Sequence, residues 1–258
     1  MHIRVAGRLS AAIALLLVGL PATAGAAPCR SETFEGASYT VCSFDLRQTD
    51  LRIFWRDGKG APFRTFAALD ETLASRGSTL VFAMNGGMYG DDFSPTGLLI
   101  EDGRELNTAN TRDVQGEPGS IPNFYKKPNG VFFLGDDTAG VMDTTAFLSN
   151  RPDADFATQS GPMLVIDNEI HPAFIEGSTD RKMRNGVGVS SPTEVHFAIT
   201  EDRVNFHDFA RFFRDHLGCA NALFLDGGSA PGLYAPELGR DDAPGHGGYG
   251  PIIAVVGE

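Results

Sequence analysis

The 258-residue sequence predicts an α+β fold, a single domain with mixed, largely antiparallel sheets partly covered by a few helices. Short runs rich in Val, Ile, Leu and Phe recur along the chain, each bracketed by Gly, Pro, Asn or Asp, a pattern that favours strands over helices. Helical periodicity is confined to a few stretches. No Pro/Ser linker, internal period or low-complexity tract divides the chain, and at 42% hydrophobic it can bury one large core.

In chain order, strands are expected over 39–46, 51–55, 79–84, 96–101, 129–135, 162–167, 194–200, 222–227 and 252–257. A first helix is expected over 65–77, where Phe66, Leu69 and Leu73 share a face. The second, over 205–218, repeats Phe206, Phe209, Phe213 and Leu217 at spacings of three and four, with Asn205 to cap its start and Gly218 its end. His207 and His216 fall on or near its polar side and read as surface histidines.

Residues 1–27 read as a signal peptide: His2, Arg4 and Arg8, then an apolar run from Ala11 to Leu20, then small residues offering cleavage after Ala24 or Ala26. That run is shorter than the roughly 20 residues that span a bilayer, and no later segment is long and apolar enough to cross one. The working domain is therefore 28–258, exported to a periplasmic or secreted location. Export permits a disulfide between Cys29 and Cys42, leaving Cys219 as a buried free thiol. With 21 Lys+Arg against 33 Asp+Glu the net charge is −12, which excludes general-field capture of nucleic acid. A site for an anion has to be local.

Four glycine-rich turns carry polar side chains beside expected strands: "MNGGMY" at 84–89, "TQSGPM" at 158–163, "RKMRNGVGV" at 181–189 and "LDGGS" at 225–229. Strand tips hold side chains rigidly, and glycine lets backbone approach a ligand. No P-loop, dinucleotide fingerprint or G-x-S-x-G elbow is present, so no cofactor is predicted. The paired acids of "YGDDFS" and "GRDDAPGHGGYG", with His246 and His171, lack a recognised ligand spacing, and a divalent metal is left open there.

These turns, together with "PNGVFF", "NFHDFARFFRDHLGCANALFLDG" and "YGPIIAVV", resemble in order the bacterial secreted branch of the phosphodiester glycosidase family over roughly 39–256. The family also contains the mammalian enzyme that removes N-acetylglucosamine from a sugar phosphodiester. The resemblance implies a pocket built from Asn85-Gly86-Gly87, Gln159-Ser160-Gly161, Arg184-Asn185 and Asp226-Gly227-Gly228-Ser229. Gln159 and Ser160 depart from the small glycines of the characterised enzymes, as does Ala230-Pro231 after the last turn, which points to a different sugar or aglycone.

The chemistry expected from that resemblance is hydrolysis of the glycosidic bond of a sugar phosphodiester. Asp226 is the candidate carboxylate that activates water or attacks the sugar, Arg184 the fork for the phosphate, and Asn85 a further catalytic group. Gly86, Gly87, Gln159, Ser160, Gly161, Arg181, Asn185, Gly227, Gly228 and Ser229 are the expected substrate contacts, with Arg181 and Lys182 also readable as surface ion-pair residues. A second carboxylate stays open among Asp91, Asp92, Asp180 and Glu176. The expected partner is a small-molecule or glycan substrate carrying a sugar phosphodiester. The alternatives are a noncatalytic envelope glycan-binding module and another phosphoric ester hydrolase.

Overall fold

The computed structural model describes residues 1–2, 28–117 and 119–258; most of the expected signal peptide lies outside them. The chain opens with β1 (Cys29–Phe34), β2 (Ala37–Asp45) and β3 (Asp50–Phe54), followed by α1 (Phe66–Ala74), β4 (Thr79–Asn85), β5 (Leu99–Glu101) and β6 (Arg104–Asn107). Next come β7 (Gly130–Gly135), β8 (Thr138–Asp143), α2 (Thr144–Asn150), β9 (Phe156–Ser160), β10 (Met163–Ile166) and β11 (Glu169–Ile170). The last third holds β12 (Arg184–Ser191), β13 (Glu194–Thr200), α3 (Phe206–Arg211), β14 (Asn221–Gly227), β15 (Leu233–Ala235), β16 (Arg240–Asp241) and β17 (Ile252–Gly257).

Three sheets result, ordered β1-β2-β13-β12-β14-β10-β11, β16-β15-β4-β17-β3 and β6-β5-β9-β7-β8. Ladders between named strands are antiparallel. The sheets enclose a shared core in which Phe44, Ile53, Phe82, Leu99, Phe132 and Leu225 meet. A second apolar layer lies on the other face of the seven-stranded sheet, where α3 packs Phe209, Phe212 and Phe213 against Tyr39 and Phe224. On the sheet built around β4, α1 seats Phe66, Leu69 and Leu73.

The expected helix over 205–218 begins as read, with the Asn205 side chain accepting from the Asp208 N–H. It departs at Phe212, where a π turn runs to His216. The consecutive Phe212 and Phe213 are both fully buried, and a wider turn lets two neighbours face the sheet together. His216 pairs with Glu32, and His207 is half-buried rather than on the surface.

The segment read as a glycine turn around Gly186 and Gly188 is instead a central strand. A Cβ on Gly188 would lie 2.6 Å from the Phe213 ring and 2.7 Å from the Cys219 sulfur, so glycine here admits the helix layer. Cys219 is buried, its thiol pushed up to about 12 by desolvation, which leaves it inert. Cys29 and Cys42 are cross-strand partners joined by a disulfide.

Replacing Gly188 with Ala is expected to cost about 1–3 kcal/mol in urea unfolding by pushing the helix layer off the sheet. An unchanged unfolding midpoint contradicts this packing.

Candidate functional site

Strand ends converge at one end of the shared core. There β4 finishes at Asn85, β9 at Ser160 and β14 at Gly227, while β12 starts at Arg184. Hydrogen bonds tie these ends together. The Asn185 Nδ2 donates to Asn85 Oδ1 at 2.7 Å, and Asn185 Oδ1 accepts from the Asp226 N–H at 2.9 Å. Asn85 Oδ1 also accepts from the Gly232 N–H at 2.9 Å, and the Ser160 Oγ donates to the Leu225 carbonyl at 2.9 Å. All four turn segments singled out in the sequence reach this end of the molecule.

Asp226 stands at its open side. Its Oδ1 accepts from the Gly227 N–H at 2.8 Å, and the side chain is half-buried. Desolvation pushes its pKa up to about 6, opposed by that N–H and by His246. The exposed Ser229 hydroxyl shares a 2.9 Å hydrogen bond with His246 Nε2. Tyr89 completes the wall: its hydroxyl donates to the Gly248 carbonyl at 2.8 Å, and burial together with the Asp226 charge pushes its pKa up to about 12.

Tyr89 belongs to the first expected pocket turn without a role of its own, and His246 enters the expectation only as a candidate metal ligand. "MNGGMY" and "GHGGYG" both show in the sequence as turns, but only folding brings them together. A Cβ on Gly250 would lie 2.5 Å from the Tyr89 Cβ, and one on Gly245 would lie 1.9 Å from the Ser229 carbonyl oxygen.

Several expected substrate contacts are already spent on the protein. Gln159 accepts from the Leu98 and Asn110 N–H groups and donates to the Asn110 carbonyl and Thr144 Oγ1. Ser160 and Asn185 are fully buried. Gly86 donates its N–H to the Pro251 carbonyl and Gly87 to Thr158 Oγ1; Gly161 packs against Asn129. The Gly228 N–H, at φ 75°, reaches the Met183 carbonyl. Asn85 keeps one free group, a buried Nδ2 with no partner.

The largest correction concerns Arg184. In the ladder Asn185 lies opposite Asp226 and Arg184 opposite Gly227, so the guanidinium and the carboxylate sit on opposite faces of the sheet. Arg184 is 1% exposed and its guanidinium carbon lies 3.6 Å from the Phe206 ring centroid. Its Nε donates to the Val204 carbonyl and an NH2 to the Asp180 carbonyl. Burial pulls its pKa down to about 10, with Asp180 opposing. It is a structural strut between β12 and α3, and it does not face Asp226. Arg181, bonded to the Arg203 carbonyl and Asp208, is a surface ion-pair residue, as is Lys182 with Asp180 at 3.1 Å. Of the other open acids, Asp92 caps its own turn through Ser94, and Asp91 and Glu176 are exposed. Among the described residues no three His, Cys, Asp or Glu side chains group as a cation site.

Fold and site define an α+β domain that presents a partly dry carboxylate among amide and hydroxyl groups at one open end. The family is fixed by the chain itself: residues 78–252 match the phosphodiester glycosidase family, and the chain belongs to it. Over 177 residues it is 33% identical to the uncharacterized protein YigE of Escherichia coli K12, a match spanning 69% of this chain and 66% of YigE, just under two thirds of that protein. The fold is shared with the catalytic domain of zebrafish N-acetylglucosamine-1-phosphodiester alpha-N-acetylglucosaminidase, solved auto-inhibited by its pro-peptide. That likeness has a TM-score of 0.58 at 16% identity, over 88% of this chain and 81% of the other. A hypothetical protein from Synechocystis shares it too, with a TM-score of 0.55 at 13% identity over 89% and 61% of the two chains.

Arg184→Ala is expected to lower unfolding stability by roughly 2–4 kcal/mol, since it opens a cavity beneath Phe206 and strands two carbonyls. Arg181→Ala, at an exposed pair, is expected to cost under about 1 kcal/mol. Equal small losses in urea titrations contradict the strut role.

Proposed function

We propose that this chain is an exported hydrolase that cleaves the glycosidic bond of a sugar phosphodiester, with Asp226 as its catalytic carboxylate. The observation that carries this is the state of Asp226: held at a strand end by Gly227 and Asn185, half-buried, and titrating near 6. Family membership supplies the reaction class. The Cys29–Cys42 disulfide fits an oxidising compartment, periplasmic or secreted.

In this scheme the ionised Asp226 takes a proton from water attacking the anomeric carbon, or itself attacks that carbon. The bond from the anomeric carbon to the bridging oxygen breaks, and its electron pair leaves with the phosphate, which keeps that oxygen. Water supplies the new sugar hydroxyl. A phosphate leaves as a weak base and asks for little protonation, so anion stabilisation matters more than a strong acid. With Arg184 turned to the other face, the exposed Ser229 hydroxyl and His246 take the role of meeting the departing phosphate in this scheme, a reading supported by their mutual hydrogen bond and exposure.

The test is purified protein on a panel of sugar-1-phosphodiesters in 18O-labelled water. Turnover is expected to rise as pH passes about 6, to place the label on the sugar, and to fall by about 10²–10⁴ in Asp226→Asn with folding intact. Label on the phosphate points to attack at phosphorus instead. Binding without turnover across the panel points to a glycan-binding module.

A further inference from the structure

A separate cavity of about 440 Å³ opens on the α3 side of the seven-stranded sheet, lined by none of Asn85, Asn185 or Asp226. Its walls come from residues of 113–115, 119–127 and 171–180, stretches without sheet or α-helix except for the short helical turn Asn123–Tyr125, together with Phe206 and His207 of α3. Ile121, Tyr125, Phe174, Ile175 and Phe206 make the lining mainly apolar, and Ile175 is 72% exposed. The volume lies within the ~300–1,000 Å³ range of small-molecule sites.

Two lysines line this apolar wall. Lys126 Nζ donates to Asn123 Oδ1 at 2.8 Å and Lys127 Nζ to Asn129 Oδ1 at 3.0 Å, so each is held by a neutral amide. Among the described residues neither forms an ion pair with a carboxylate, although the chain has 33 acidic residues. Desolvation lowers the pKa of both. The two acids in the lining are engaged elsewhere: Asp180 with Lys182 at 3.1 Å, and Asp113 with the Gln115 side chain. Arg184 lies beneath Phe206, adding positive charge from behind the wall. His171 accepts from the Ala173 N–H at Nδ1, and burial lowers its pKa, which favours the neutral ring. Tyr125 and His207 are the remaining titratable groups in the lining.

Lys126 is half-buried and Lys127 exposed, and neither has a carboxylate at ion-pair distance among the described residues. Cations set in an apolar wall are complementary to a negative charge carried on a greasy body. We propose that this cavity is a second binding site, for an amphiphilic oxyanion: a phosphate carried on an alkyl or aryl group, with the head between Lys126 and Lys127 and the body against Phe174 and Phe206. The claim is independent of the chemistry assigned to Asp226.

Calorimetric titration with octyl phosphate, with 1-octanol as the uncharged control, tests it on the full exported chain. Octyl phosphate is expected to bind, and octanol at least about tenfold more weakly. The Lys126→Gln/Lys127→Gln double variant is expected to lose about tenfold or more for octyl phosphate while its octanol affinity stays unchanged. Ile121→Asp, at the partly exposed wall, is expected to weaken both ligands with its circular dichroism unchanged. Asp226→Asn is expected to bind like the parent chain. No binding, equal affinity for octanol, undiminished binding by the double lysine variant, or loss of binding in Asp226→Asn overturns the assignment.

Discussion

The hydrogen bond between Asn185 and Asn85 joins two of the three sheets whose strand ends make the site. Asn185 lies on β12 of the seven-stranded sheet and Asn85 at the end of β4, and both side chains are buried. Buried amides are costly unless paired, so this contact, although it leaves Asn85 Nδ2 unpartnered among the described residues, fixes how the sheets meet more narrowly than apolar packing would. From it the rest of the site follows. Asn185 turns its oxygen to the Asp226 N–H, Asn85 turns its oxygen to Gly232, and the β14 end is held where Gly227 can donate to the carboxylate. The pKa of Asp226 is raised because the same arrangement keeps water from most of its side chain.

Strand alternation decides which charges belong to that site. Arg184 and Asn185 are neighbours, yet one serves the helix layer and the other the open end, because successive side chains leave a strand on opposite faces. A guanidinium taken out of water needs compensation, and Arg184 finds it in two carbonyls and the Phe206 ring. Its cluster of cations therefore organises the α3 side of the sheet. The carboxylate on the other side lies within reach of the charge of His246, which bonds Ser229, and itself acts on Tyr89.

Much of the fold was legible in the sequence because it depends on local pattern. Runs such as 79–84, 194–200 and 252–257 are strands within a residue or so of their expected limits, and Asn205 caps α3 as read. The strand β1 was missed because "CRSETF" has no apolar alternation; its place is set by pairing with β2 and by the disulfide. Gly186 and Gly188 misled for a physical reason: glycine serves equally where a turn bends, where a ligand comes near and where a helix packs closely, and here the helix is responsible. Asp226, its glycine turn and Asn85 are site candidates from sequence, and the structure brings them to one cluster of strand ends. Gln159 and Ser160 are polar residues of the right kind whose hydrogen bonds are consumed inside the protein, a distinction only register can make. The place of His246 beside Ser229 depends on a distant loop folding back, for which spacing gives no sign.

The central claim is that the amide bridge holds Asp226 in a partly dry place. Carbon-13 NMR titration of the Asp226 carboxyl measures it directly, in the parent chain and in Asn185→Ala. The account predicts a midpoint near 6 in the parent chain and a clear fall toward the ordinary aspartate value of about 3.9 when the bridge is cut and water enters. A parent carboxyl that already titrates near 4, or one indifferent to the loss of Asn185, contradicts it.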